Sequence, residues 1–468
     1  MIKISSLLHN FWRLSWKNRS WKPFEISLIA HHMSAQIVLQ CANQGIDTTG
    51  LFIFVIRNNF EGMLCYFVAS LLKVRAAIVN VRDVETINSL LNEDAVAAFI
   101  RNHEGGLPVS SSKTLLIHFV ESTAFKSISL KALSPFSEAY FYFMTSGTTG
   151  RPKLVQYQEQ MLIGNALEVS RYLSLASNDN ILCFFPVQYM YGLSTMLTTL
   201  ICQGNLVFEQ FSLGRVSEML RYHHITTMPV IGDWMLPLSK ILSVSGIHLM
   251  RVLNASDRLL SVQAEKIMPC CDVLWNNFGQ TESGPRLFCL KLETLSEIEK
   301  YSLNSVVAPG YVMNDSISIQ LHPRDELPDG ACQMFYRTPF AADGYVDEHL
   351  TLIPRGEWIY SGDLFVKNMH DVYFWIAREK NELKINGKFV PVQAISNDLM
   401  REFGALRHTF SKGPEGIIHL HIESEQSHGI TSRISQMLSD SWHRYAFAIS
   451  TVDMLPTTHT GKIKAEQI

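Results

Sequence analysis

Thr145-Ser146-Gly147-Thr148-Thr149-Gly150-Arg151-Pro152-Lys153 crowds four hydroxyl side chains, two glycines and a lysine into nine residues. Glycine lets the backbone turn tightly and gather its N–H groups on one side, and amides, hydroxyls and an ammonium together suit a polyphosphate. The stretch is not the common P-loop. Where that motif has Gly before Lys this chain has Pro152, which has no N–H to donate. A flexible Ser/Thr/Gly loop is the plain alternative, and the flanks bear on the choice. Ala139–Met144 in front reads as a short buried strand, and Gln160–Leu173 behind places Leu162, Ala166 and Val169 on one helical face.

Strand, loop, helix is the unit of a parallel sheet, and the same unit stands further upstream. Leu51–Ile56 (LFIFVI) reads as a buried strand, Phe60–Lys73 as a helix and Ala76–Val81 as the next strand. Ile181–Phe185, Asn205–Glu209, His248–Leu253 and Val273–Asn276 are further strand candidates. After about residue 305 the pattern changes. Ser316–Leu321, Gln333–Arg337, Trp358–Tyr360 and Val372–Ile376 are short strands between Pro, Gly and Asp turns, as in a small β-rich subdomain. The polar run Ala377-Arg378-Glu379-Lys380-Asn381-Glu382 is the interior boundary candidate, dividing a core of residues 1–377 from a small α+β domain, 378–468.

Bulk properties narrow the class. Hydrophobic residues make up 47% and charged residues 18%, which excludes extensive disorder. A net charge of -3 without a long run of either sign argues against a dedicated nucleic-acid or membrane-surface binder. The eight cysteines form no CxxC pair and read as free thiols. No signal peptide is read at the N-terminus, and the most apolar stretch, Met63–Leu72, is too short to span a bilayer, so a cytoplasmic location is expected. The pairs His31-His32 and His223-His224 lack zinc-site spacing and read as surface or satisfied core histidines.

Three more motifs follow the loop in order: Asn276-Asn277-Phe278-Gly279-Gln280-Thr281-Glu282, Tyr360-Ser361-Gly362-Asp363, and Leu455-Pro456-Thr457-Thr458-His459-Thr460-Gly461-Lys462. Alone, the first is a strand end with an exposed acid, the second a turn and the third a solvated tail. Together with the loop they resemble the adenylate-forming superfamily of acyl- and aryl-CoA ligases, peptide-synthetase adenylation domains and luciferase. The resemblance implies an α/β fold: a large N-terminal domain of two αβα-layered subdomains and a small β-rich one, followed by a small mobile α+β C-terminal domain. It implies that Thr145, Ser146, Gly147, Thr148, Thr149, Gly150 and Lys153 hold the phosphates of ATP. It further implies that Phe278 and Gly279 flank adenine, Asn276 bonds near its amino group and Thr281 touches the α-phosphate. Glu282 would ligate Mg²⁺, as a hard oxygen donor should. Asp363 would accept from the ribose hydroxyls with Arg378 nearby, and Lys462 would bridge the acid and the α-phosphate.

The acid pocket is sought by the same resemblance in Phe185–Leu193. Tyr189 and Met190 stand where amino-acid-activating relatives carry an aspartate, so an aryl or acyl acid without an α-ammonium is expected. Leu193, Val230 and Asn277 complete the pocket candidates, while for Tyr191 an ordinary core aromatic is the competing reading. Lys380 occupies the hinge, where relatives commonly have Asp, and the residues after Gly387 lack an expected acid. The implied reaction is activation of a small carboxylic acid to acyl-AMP and its transfer to coenzyme A or the phosphopantetheine of an acyl or peptidyl carrier protein. An amide-forming ligase and a non-enzymatic adenylate-binding protein are the alternatives.

Overall fold

Leu51–Ile56 (β1) is buried on both faces along its whole length, which is why it reads as a continuous apolar run rather than an alternating one. It pairs in parallel with Arg75–Asn80 (β2) on one side and Val96–Arg101 on the other. The computed structural model describes residues 2–10, 12–17, 19–102, 113–117, 136–145, 152–210, 212–324, 327, 330–379, 384–385, 388–390, 392–404, 406–413, 417–423 and 427–455. Among them, β1 and β2 belong to an eight-stranded sheet that also contains Tyr140–Thr145 (β3) and Lys153–Gln158 (β4). Helices Pro23–Gln44 (α1) and Asn59–Leu72 (α2) contact each other and contribute to the core with β1. The α1 helix escaped the reading above, although its buried Ile26, Ile29, Ala30, Met33 and Ile37 follow helical spacing.

A nine-stranded sheet forms the second body of the large domain. Its centre is parallel: Thr227–Val230 (β5) beside Leu249–Asn254 (β6), and β6 beside Cys271–Gln280 (β7). Gly284–Leu292 (β8) then returns antiparallel to β7. Helices Glu159–Tyr172 (α3) and Met190–Ile201 (α4) contact one another and both contact β8. The expected strand Ile181–Phe185 stops at Leu182. The following segment is held by Asn59, whose amide donates to the carbonyls of Cys183 and Phe185 and accepts from Val187 N–H.

Beyond residue 305 the expected β-rich unit is a four-stranded antiparallel sheet of Ser318–Pro323, Cys332–Arg337 (β9), Ile359–Lys367 (β10) and Tyr373–Arg378 (β11). Ser361-Gly362-Asp363 lies inside β10, not in a turn. Gly362 has φ +73 there, a left-handed kink beside a register shift, so glycine bends the strand without ending it. The small C-terminal domain has its own core: Val390, Ile395, Leu399, Ile418, Leu420, Ile422, Ile434 and Leu438. Val392–Phe403 (α5) meets the large domain where Arg258 donates to Ser396 Oγ at 3.1 Å and Asn397 donates to the Asn304 carbonyl at 2.6 Å. Among the described residues no helix is long and apolar enough to cross a membrane.

Candidate active site

Thr145 ends β3, Lys153 begins β4, and the two pair across the hairpin. Ser146, Gly147, Thr148, Thr149 and Gly150 lie outside the described residues, as do Lys380, Gly387 and Lys462. Thr145 Oγ1 is buried with no hydrogen-bond partner among the described residues, an arrangement that costs about 1–3 kcal/mol. A hydroxyl left so at the root of a glycine-rich loop fits a site for phosphate oxygens. Lys153 Nζ stands 5.0 Å from the centroid of the Tyr345 ring, and Tyr345 donates its hydroxyl to Glu282 Oε1 at 3.0 Å. Burial and the neighbouring Glu282 charge push the Tyr345 phenol up, so it remains a neutral donor. One tyrosine therefore brings the end of the loop and the Glu282 carboxylate to the same place.

The Thr281-Glu282 turn is held from several sides. Tyr157 donates its hydroxyl to the Thr281 carbonyl at 2.5 Å and accepts from Gly284 N–H at 2.8 Å. Ala342 N–H donates to the Glu282 carbonyl at 3.0 Å. Gly279 is required by close approach, because a Cβ there would overlap the Pro285 carbonyl. Phe278 is half-buried, against Phe365 at 5.2 Å and Phe288 at 5.8 Å between ring centroids.

Asn276 and Asn277 are buried side by side in an amide network. Asn276 donates to the carbonyls of Val307 and Ala308 and accepts from Asn254. Asn277 donates to the Asn254 carbonyl and accepts from Tyr172. Both N–H groups of Asn276 are thus committed, leaving it only acceptor capacity. Asp363 is likewise engaged: Gln280 and Arg378 donate to Oδ2 at 2.5 and 2.6 Å, and Trp375 to Oδ1 at 3.0 Å. Burial raises its pKa, and the Arg378 charge opposes that shift. Arg378 is the last residue of β11, while Glu379 accepts from Gln333 and Tyr360.

The pocket candidates come from several elements. Met190 and Leu193 are buried on α4, and Val230 ends β5. Tyr189 donates to Asp83 Oδ2 at 3.1 Å. Tyr191 is a core aromatic, its hydroxyl donating to the Leu253 carbonyl at 2.6 Å. It is also the face for a group that the motifs did not single out. The Arg286 guanidinium lies 4.8 Å from the Tyr191 ring centroid; the residue is 2% exposed and its Nε has no partner among the described residues. The one signal in the sequence was an arginine near the start of a mostly apolar strand, Gly284–Leu292 (GPRLFCLKL). Elsewhere, His31 bonds to the Ser27 carbonyl and His223 to Glu209.

The model of the family of AMP-binding enzymes matches residues 18–346. Among relatives, 4-coumarate–CoA ligase 3 of Arabidopsis thaliana is 24% identical over 275 residues, 53% of this chain and 46% of its own length. The chain spans about half the length of the curated relatives it matches. Among solved structures, o-succinylbenzoate coenzyme A synthetase of Bacillus subtilis, in complex with ATP and magnesium ion, superposes with a TM-score of 0.77 at 16% identity, covering 99% of this chain and 98% of that one. Amide bond synthetase McbA of Marinactinospora thermotolerans gives 0.73 at 14% identity, covering 99% and 98%.

Proposed function

Because the chain belongs to the family of AMP-binding enzymes, we propose that it activates a small carboxylic acid with ATP to an acyl-AMP and passes the acyl group to a thiol. The observation that carries this reading is the Lys153–Tyr345–Glu282 cluster beside the Thr145 hydroxyl, which has no partner among the described residues. It joins cationic, hydroxyl and carboxylate groups from distant parts of the chain at the root of a phosphate-type loop. Thr145, Lys153 and the loop hydroxyls bind and orient the triphosphate. Glu282 and its neighbours would hold Mg²⁺, whose charge offsets that of the phosphates. Phe278 stacks adenine, Asn276 offers its acceptor to the base, and Asp363 has acceptor capacity left on Oδ1 for ribose. Lys462 neutralises the approach of the substrate carboxylate to the α-phosphorus, displacing pyrophosphate in line. Catalysis is then mainly positioning and charge neutralisation.

The division at residues 377/378 makes 378–468 the mobile part with Lys380 its hinge, and the bonds that tie Arg378 and Glu379 to the β-rich sheet support a pivot that follows them. The thiol is that of coenzyme A or of a carrier protein's phosphopantetheine; the names of the CoA ligases above favour coenzyme A. Likeness to an amide synthetase keeps an amine as the second acceptor. Acid-dependent exchange of labelled pyrophosphate into ATP tests the first half-reaction, and its absence over a broad panel of acids ends the reading. Lys462→Ala is expected to abolish exchange while leaving ATP binding intact; undiminished exchange would remove the lysine from the mechanism. Adding coenzyme A, a phosphopantetheinylated carrier or an amine then separates the acceptors.

A further inference from the structure

Arg286 is the most deeply buried cation near the proposed acid pocket, and no carboxylate among the described residues forms an ion pair with it. Its neighbours are Tyr191, over whose ring it sits, and Tyr172, which donates to the pocket candidate Asn277. Both phenols are pushed far up by burial, so neither supplies a negative charge. Tyr191 also bonds to the Leu253 carbonyl and reaches toward that of Val230, another pocket candidate. An isolated buried charge is costly unless an opposite charge meets it. At the pocket candidate Tyr189, Asp83 and Arg82 stand together as charges of opposite sign, whereas the phosphate-side charges gather around Tyr345.

Resting on the adenylation reading, we infer that Arg286 recognises a second carboxylate on the substrate, so that the acid activated is a dicarboxylic acid. One carboxylate reacts near Lys462 and Glu282; the other lies against the Arg286 fork, which suits a planar, bidentate anion. The Tyr191 ring backs the guanidinium and keeps it from turning away. Arg286 is a specificity residue here and touches no reacting atom. The same cation disfavours an acid bearing an ammonium at its far end.

The test pairs each of several aryl and aliphatic diacids with its own monomethyl ester in pyrophosphate exchange, which changes only the second charge. Diacids are expected to exceed their esters by roughly 30-fold or more in kcat/KM, the loss typical when a buried charge loses its partner. Arg286→Met should erase that preference through KM, leaving ester turnover equal or improved, and Arg286→Lys should restore part of it. Equal rates for acids and esters in the unaltered protein overturn the inference. So does Arg286→Met lowering every acid alike, which would place the arginine on the reacting carboxylate. If no acid supports exchange, the adenylation reading fails by itself. The anion site is then judged by thermal unfolding with free diacids: a rise in Tm that Arg286→Met abolishes supports it, and no rise refutes it.

Discussion

Asp363 and Arg286 are both buried, both charged, and both close to the Gly279–Glu282 segment, yet the fold treats them in opposite ways. Asp363 is surrounded by Gln280, Trp375 and Arg378, each donating to it. Arg286 has neutral phenols beside it and an Nε with no partner among the described residues. A charge satisfied from within holds the structure together, here tying β7 to β10 and β11. A charge left uncompensated is a standing cost that a ligand of opposite sign removes.

Breaking the Asp363 side should have the largest effect. Asp363→Ala strands the donors of Arg378, Gln280 and Trp375, and about 3–5 kcal/mol of stability should be lost in chemical unfolding. Replacing the other charge should give the opposite sign: Arg286→Met is expected to leave stability unchanged or to raise it by about 1–4 kcal/mol, because a buried charge becomes a packed apolar chain. Destabilisation of similar size in both variants would end the contrast.

His408 shows a third treatment, in which the buried group gives up its charge. Burial lowers its pKa from 6.5 to about 4, and its ring bonds to Ser396 and the Leu406 carbonyl as a neutral imidazole. As pH falls from 6.5 toward 4 the unfolded chain takes up the proton first, so stability is present above that window and lost within it. The loss is bounded at roughly 3 kcal/mol by the width of the window. His408→Asn should flatten this part of the pH–stability curve. The smallest effect belongs to Tyr345→Phe, which removes one bond to Glu282 while keeping the ring against Lys153. A loss of about 1 kcal/mol, read as a several-fold rise in the KM for ATP with Mg²⁺, is expected.

Elements with strong local periodicity were legible in the sequence. Leu51–Ile56 is a strand over the range its composition predicts, and the helices after β1 and β4 begin within a residue or two of their expected starts. Ser361-Gly362-Asp363 was harder, because Ser, Gly and Asp signal a turn locally, while pairing with β9 and β11 keeps the strand going through a kink at Gly362. Motif order likewise brought Glu282, Asp363 and the loop into one candidate site, since each motif carries its own local chemistry.

By itself, then, the sequence determined the α/β class and the family and marked the candidate residues for nucleotide: these depend on short-range patterns, and the chain carries them in consecutive residues. Only the tertiary structure decided that Tyr345 links Lys153 to Glu282, that Asp363 is already triply bonded, and that Arg286 has no counter-charge among the described residues. The reason is physical. Whether a charge is paired depends on what lies within a few ångströms of it, and for a buried group those neighbours come from strands and helices far apart along the chain.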